Sequence, residues 1–295
     1  MKKIIAIALS LVMILGAIAT FTACNTANVE LVSIDAVDLL KEDFGIAVKK
    51  GNTALMDMVN DVIDEWVADG TMTKYVDYYT ALANGETPDA NGLTTTWDFG
   101  SATEILTVYT ESGFAPFEFI QNGEVIGVDI AIMNEVAKRN NMKVEVKDVD
   151  FNTITTCVKG HTGNAVGAAG LTINDERKQE VDFSSIYYSS TLVIVSAKDK
   201  SISSVKDLSG LTVGVQEGTS GDLIISDAKT AGGYSYVDYD ENDNEITKTV
   251  TVGADTEVKQ YKQYALALAD LKAGRIDAIL MDKLPAQTML ASSGN

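Results

Sequence analysis

From residue 104 onward the chain alternates short β-forming runs with stretches of helical period. This alternation limits the fold more than any other feature. ILTVYT (105–110) reads as a strand. After the turn QNG and Gly127, apolar residues at Ile130, Met133, Val136 and Ala137 mark one helix face. KVEVKDVD (143–150) reads as a strand and NTITTCVKG as a helix ended by glycine. AVGAAGLTI reads as a strand of small residues that lets another group approach closely. Strands alternating with helices predict parallel α/β construction.

The same grammar appears earlier, in EDFGIAVKKGNTALMDMVNDVIDEWVADG (42–70). A strand, FGIAVKK, meets the turn GN and then a helix with one apolar stripe at Leu55, Met58, Val59, Val62, Ile63, Trp66 and Val67. Asn52 is its expected N-cap and Gly70 its expected stop.

The first residues follow other rules. MKK gives a positive start, IIAIALSLVMILGAIATF is an apolar run, and Thr22-Ala23-Cys24 brings small residues up to a cysteine. Residues 1–23 are expected to be a signal peptide. The small residues resemble a bacterial lipobox, with Phe21 where Leu is usual. The resemblance implies cleavage before Cys24, lipidation of its sulfur and anchoring outside the cytoplasmic membrane, with 24–28 as a tether. An uncleaved anchor or a buried helix is the alternative reading of the run. Its length, near the lower limit for a span, and its end on a cysteine favour the lipoprotein.

The 295 residues hold 23 Lys and Arg against 42 Asp and Glu, a net charge of −19. Loss of Lys2 and Lys3 would make the balance more acidic still. Nucleic acid needs a basic footprint, which is missing. The balance fits an exported protein kept monomeric by self-repulsion. Besides Cys24 only Cys157 occurs, expected as a small packing residue, and no Cys/His spacing suggests a metal. The single histidine, His161, lies in a glycine-containing turn and is expected to face solvent. No catalytic triad order, phosphate loop or cofactor motif appears.

Five blocks carry a family resemblance: FAPFEF, GVDIAIMNEVAKRNNMKVEV, GAAGLTINDERKQEVDFSSIYYSS, DLSGLTVGVQEGTSGD and LKAGRIDAILMDKLPA. In this order they resemble the amino-acid-binding solute-binding proteins of ABC importers, family 3. The fold implied is the two-lobed type II periplasmic-binding-protein α/β fold, each lobe a sheet flanked by helices, closing on a ligand about a hinge. In that family the segment like 42–70 comes last, whereas here it comes first. VELVSID (29–35) resembles the continuation of LPAQTMLASSGN. The order is therefore expected to be circularly permuted; a truncated tandem of two partial copies, or a misassembled gene, is the alternative. On this reading residues 29–36 are a strand of lobe 2, 42–193 are lobe 1 and 196–295 complete lobe 2. Residues of about 82–103, rich in turn formers, would be a flexible bridge between the old ends.

A buried amino acid must have both its charges answered. The resemblance places Arg177, in TINDER, against the ligand carboxylate, where its planar fork binds two oxygens. Read without it, Arg177 could equally be a surface ion pair among Asp175, Glu176 and Lys178. Gly170 and Thr172 match positions giving backbone and hydroxyl contacts. Gly218, Thr219 and Ser220 match an anion-binding turn into a helix. Asp282 matches the ammonium-binding carboxylate, and Asp277 is expected to structure its turn. Phe114 and Phe151 match aromatic residues around the side chain, and core filling is their other reading. Glu111 stands where an acid can reach that side chain, which leans the ligand toward a polar or cationic amino acid; it could also be a solvated strand end. In place of the Asp often found before the small-residue strand stands Ala165. The function implied is capture of a free amino acid for the membrane subunits of an importer, without catalysis or cofactor. The other readings are a dehydratase-like cleft enzyme, which would need an acid/base pair with no part in holding the ligand, and a ligand sensor, which would need an attached signalling segment.

Overall fold

A computed structural model describes residues 30–35, 40–230, 232–239 and 245–293. The expected signal peptide 1–23, Cys24 and the tether 24–28 lie outside these residues, as do both ends of the strand expected at 29–36. Among the described residues no helix is long and apolar enough to cross a membrane.

Two sheets, each flanked by helices, form two lobes. The first has the spatial order Val181–Phe183, Ala47–Lys49, Asn164–Gly167, Glu104–Thr110, Met142–Asp148. Its last three strands run parallel and its first two antiparallel. The parallel pairings require crossovers, supplied by the helices Val128–Arg139 and Ile154–Gly160. Val128, Ile130, Met133, Val136 and Ala137 of the former are all buried.

The helix Thr53–Ala68 packs on this lobe through Leu55, Val59, Val62, Ile63 and Trp66, and the Asn52 side chain caps it by accepting from the Leu55 N–H at 3.3 Å. The stripe is narrower than its apolar residues suggest: Met58 is half-buried and Val67 is 49% exposed. Gly70, at φ +80°, turns the chain straight into a second helix, Thr71–Ala83. Tyr75 of this helix stacks on Trp66 at 4.5 Å.

Residues 84–103 depart from a free bridge. Leu93, Trp97 and Phe99 pack on the core, Tyr75 donates to Thr94 O at 2.8 Å, and Trp97 Nε1 donates to Glu135 at 3.2 Å. Turn-forming composition marks where the chain bends, but three large apolar side chains decide that it lies down. His161 is also less free than its turn suggests. It is half-buried, with Nδ1 3.0 Å from the Tyr109 hydroxyl. Cys157 is half-buried and unpaired.

The second sheet has the order Leu31–Ile34, Tyr188–Ala197, Ala278–Asp282, Thr212–Gln216, Glu257–Tyr261. Leu31–Ile34 pairs antiparallel with the far end of Tyr188–Ala197, from Leu31↔Ala197 to Ile34↔Ile194. The helices Ser220–Thr230, Tyr264–Lys272 and Lys283–Ser292 flank this lobe.

The long strand Tyr188–Ala197 joins the lobes. Its first residues pair with Lys41–Phe44, from Tyr188↔Phe44 to Thr191↔Lys41, and its later ones with Ala278–Asp282. Beyond Phe44 the chain enters the first sheet at Ala47–Lys49. Two antiparallel segments thus cross between the lobes side by side, and both lie at the floor of the cleft.

Candidate functional site

Charged side chains gather on this floor although little water reaches them. Arg177, Glu42 and Asp282 are 9%, 2% and 7% exposed. A charge so deep costs several kcal/mol unless it is answered, so the partners of each group indicate its use.

Arg177 sits on the short turn Arg177–Gln179, fixed by its own N–H donating to Asn174 Oδ1 at 2.8 Å. Its fork spans the cleft. Nη1 donates to Thr172 O in the first lobe at 2.8 Å, and Nη2 to Gly218 O in the second at 2.9 Å. The Phe151 ring faces the guanidinium, with Cζ 5.2 Å from its centroid. The surface pair on this turn is Lys178 with Asp175, at 3.5 Å, while Arg177 points inward. Burial pulls the Arg177 pKa down, and the charges of Glu42, Glu176 and Asp282 work against that fall.

Gly170 has φ +54°, and a Cβ there would come within 2.7 Å of the Phe114 ring. Only glycine meets both conditions. Its N–H already donates to Asp129 Oδ2 at 2.9 Å. Thr172 is 7% exposed. In the second lobe the expected anion-binding turn is largely committed to itself. Gly218 N–H donates to Asp222 Oδ2 at 3.0 Å, and Thr219 N–H and hydroxyl donate to Gln216 O. Ser220 opens the helix Ser220–Thr230 and is 8% exposed. Phe114 stacks across the cleft on Tyr264, centroids 6.2 Å apart.

Glu111 is neither a solvated strand end nor free. It is 3% exposed and accepts from Gln216 Nε2 at 2.9 Å and Gln263 Nε2 at 2.7 Å, both in the other lobe. It thus bridges the lobes through Gln216, two residues from the Gly218 that Arg177 bonds. Burial raises its pKa, and the two amide donors moderate the rise. Asp277 bonds Lys200 at 2.5 Å and the Thr212 N–H at 3.0 Å, a structuring role.

The structure therefore brings together Arg177, Thr172, Gly218 and Phe151, ties Glu111 to Gln216 and Gln263, and sets Phe114 against Tyr264. Asp282 ends the strand Ala278–Asp282; its Oδ1 makes no well-formed hydrogen bond to a described residue, and its carboxyl lies close to Ser190 and Glu42. Its pKa is raised well above the usual range by burial and by the charge of Glu42. A cavity of about 270 Å³ opens beside Phe151, Arg177 and Gly218, and one of about 310 Å³ beside Gly113, Tyr264 and Met281.

Sequence reasoning missed Glu42, Glu118, Gln216, Gln263 and Tyr264. Glu42 lies beside Asp282, Thr172, Ser220 and Arg177. Its one signal was its place two residues from Phe44, on the same face of a strand, while Asp43 turns outward to Ser189. Glu118 is fully buried with both oxygens unpartnered among the described residues, a fact of packing that local sequence does not carry.

The model of the bacterial extracellular solute-binding proteins, family 3, matches residues 106–280. The arginine-binding extracellular protein ArtP of Bacillus subtilis is 40% identical over 114 residues, which are 39% of this chain and 44% of that protein. A probable histidine-binding protein of Neisseria gonorrhoeae is 30% identical over 181 residues, 61% of this chain and 59% of that one. The chain thus spans about half the length of these two relatives. Among solved structures, an ancestral arginine-binding protein bound to arginine is 32% identical with a TM-score of 0.55, over 66% of this chain and 76% of that one. An ancestral arginine-binding protein bound to glutamine is 33% identical with a TM-score of 0.53, over 65% and 75%.

Proposed function

Because the chain belongs to the bacterial extracellular solute-binding proteins of family 3, we propose that it captures a free amino acid between its lobes, with a leaning toward a polar or cationic side chain, and presents it to an ABC importer. The observation that carries this reading is the buried set Arg177, Asp282 and Glu42 at the junction of the two sheets. Arg177 meets the ligand carboxylate by giving up its bonds to Thr172 O and Gly218 O, and Asp282 meets the ammonium. Glu111, Phe114 and Phe151 line the way taken by the side chain, and an acid there suits a guanidinium or amide. The ligands for which the relatives are named or with which they were solved, arginine, histidine and glutamine, fit this lining. Both lobes contribute to the contacts, so binding favours the closed arrangement.

The order of the segments is proposed to be a circular permutation. In support, the family model begins at residue 106 and leaves out 42–70, and residues 41–49 pair with strands of both lobes. Lipidation at Cys24, and through it anchoring to the outer face of the membrane, is proposed on the lipobox alone.

Titration calorimetry with L-arginine, L-histidine, L-lysine, L-glutamine and L-leucine tests the reading, followed by chemical analysis of the recovered ligand. Saturable one-to-one binding of a polar or cationic member, recovered unchanged, is expected. Conversion of the ligand would make the cleft an enzyme, and no heat with any amino acid would remove the assignment. Arg177→Ala should weaken binding by two to three powers of ten, since removing one partner of a buried pair costs about 3–5 kcal/mol. Its melting temperature should stay near that of the parent.

A further inference from the structure

Three buried oxygens without well-formed hydrogen bonds lie on three adjacent strands at the floor of the cleft. They are Glu42 Oε1, Ser190 Oγ and Asp282 Oδ1: none makes a well-formed hydrogen bond to a described residue, although Asp282 lies close to Ser190 and Glu42, and Glu42 close to Ser220 and Thr172. Their residues are 2%, 6% and 7% exposed. Orphaned polar atoms this deep are rare and call for a cause.

The register shows that they face one another. Glu42 is the direct partner of Ser190 in the antiparallel pair between Lys41–Phe44 and Tyr188–Ala197. Asp282 is the direct partner of Leu192 in the next pair. Ser190 and Leu192 are two residues apart and so lie on the same face of their strand. Direct partners also share a face, so Glu42, Ser190 and Asp282 project from one side of the sheet. Strand spacing of about 4.8 Å puts the three tips within reach of one small group.

The chemistry of that group follows from the count. A primary ammonium carries three N–H donors and one positive charge. Three acceptors, two of them on carboxylates, meet both requirements. A guanidinium is planar and wider, and a carboxylate would be repelled.

We propose that Glu42 and Ser190 complete, with Asp282, a three-point cradle for the primary α-ammonium of the ligand. This rests on the reading of the cleft as an amino-acid site and adds two residues to it. Glu42 and Asp282 crowd two carboxyls into one dry place, and burial raises the pKa of both. An ammonium between them removes the conflict. The cradle explains why an acid stands on the otherwise apolar face of the crossing strand, and it ties ligand recognition to both crossings at once.

The test is calorimetry with L-arginine, its Nα-methyl derivative and its α-deamino analogue, on the parent chain, Glu42→Gln and Ser190→Ala. The parent is expected to bind L-arginine and to lose about tenfold or more with each analogue, because a bond to a charged group is removed. Glu42→Gln should weaken L-arginine by about tenfold or more and leave the α-deamino analogue within about threefold of the parent. Ser190→Ala should act the same way with a smaller loss. Equal losses for both ligands would mean that Glu42 only supports the fold, and would overturn the cradle. Parent binding that ignores the ammonium would overturn it as well, even if Glu42→Gln fails to fold. No binding of L-arginine by the parent would remove the amino-acid reading itself, a result separate from a parent that binds and a Glu42 variant that binds equally well.

Discussion

At the scale of single residues, buried carboxyls set how this molecule responds to pH. Asp129 is fully buried and accepts from the Gly170 N–H, with the Tyr187 hydroxyl close beside it. Burial pushes its pKa up to about 7 from 3.8. Glu118, beside it, is raised well above its usual value by burial and by the charge of Asp129. A folded-state pKa above the unfolded one means that the native protein holds the extra proton between the two values. Stability therefore falls as pH rises from about 4 to about 7, at up to roughly 1.4 kcal/mol per pH unit for one group, and levels off above the folded pKa of Asp129. Asp129→Asn, which keeps an acceptor for Gly170, should melt several degrees higher than the parent at pH 8 and close to it at pH 4. Melting curves across this range check the expectation; an Asn variant that loses stability equally at both ends contradicts it. Little of this was readable from the sequence. Arg177 was found because a motif surrounds it, whereas Glu42, Glu118 and Asp129 look like any surface acid until the fold closes over them.

At the scale of elements, what was legible was whatever rests on periodicity. The strands at 104–110 and 142–148, the helices at 53–68 and 128–139, and the Asn52 cap follow from local spacing and hydrogen-bonding chemistry. The packing of residues 84–103 does not, because Leu93, Trp97 and Phe99 lie against a core assembled from many segments, and Trp97 finds Glu135 on a helix 38 residues away. This element divides into a turn-rich part and a packed part. Proteolytic cleavage between 85 and 92, where Gly85 and Gly92 take left-handed turns over open space, should leave the two fragments associated and the melting temperature within a few degrees. Trp97→Ala should cost about 2–3 kcal/mol, since a half-buried indole and its bond to Glu135 are both lost. Separation of the nicked fragments on gel filtration would show that the packed part contributes nothing.

For the whole molecule, the cleft follows from the way two antiparallel segments, Lys41–Phe44 and the start of Tyr188–Ala197, cross side by side between the two sheets. Arg177 and Thr172 come from one lobe, Gly218 and Asp282 from the other, and Glu42 and Ser190 from the crossings between them. A gene reordered so that residues 104–295 precede 30–81 should fold and bind the same amino acid within about threefold of the parent. A reordered chain that is insoluble or inert would argue against the proposed permutation. Membrane fractionation of cells expressing Cys24→Ser, against the parent, tests the anchor: the parent should sediment with membranes and the variant should not. In the proposed complex an amino acid lies between the lobes with its carboxylate on Arg177. A crystal structure of the chain grown with L-arginine tests it most directly. The carboxylate is expected on the Arg177 guanidinium, the α-ammonium against Asp282 and the side chain toward Glu111. Arginine bound outside the cleft, or in the cleft with its carboxylate away from Arg177, would rule this complex out.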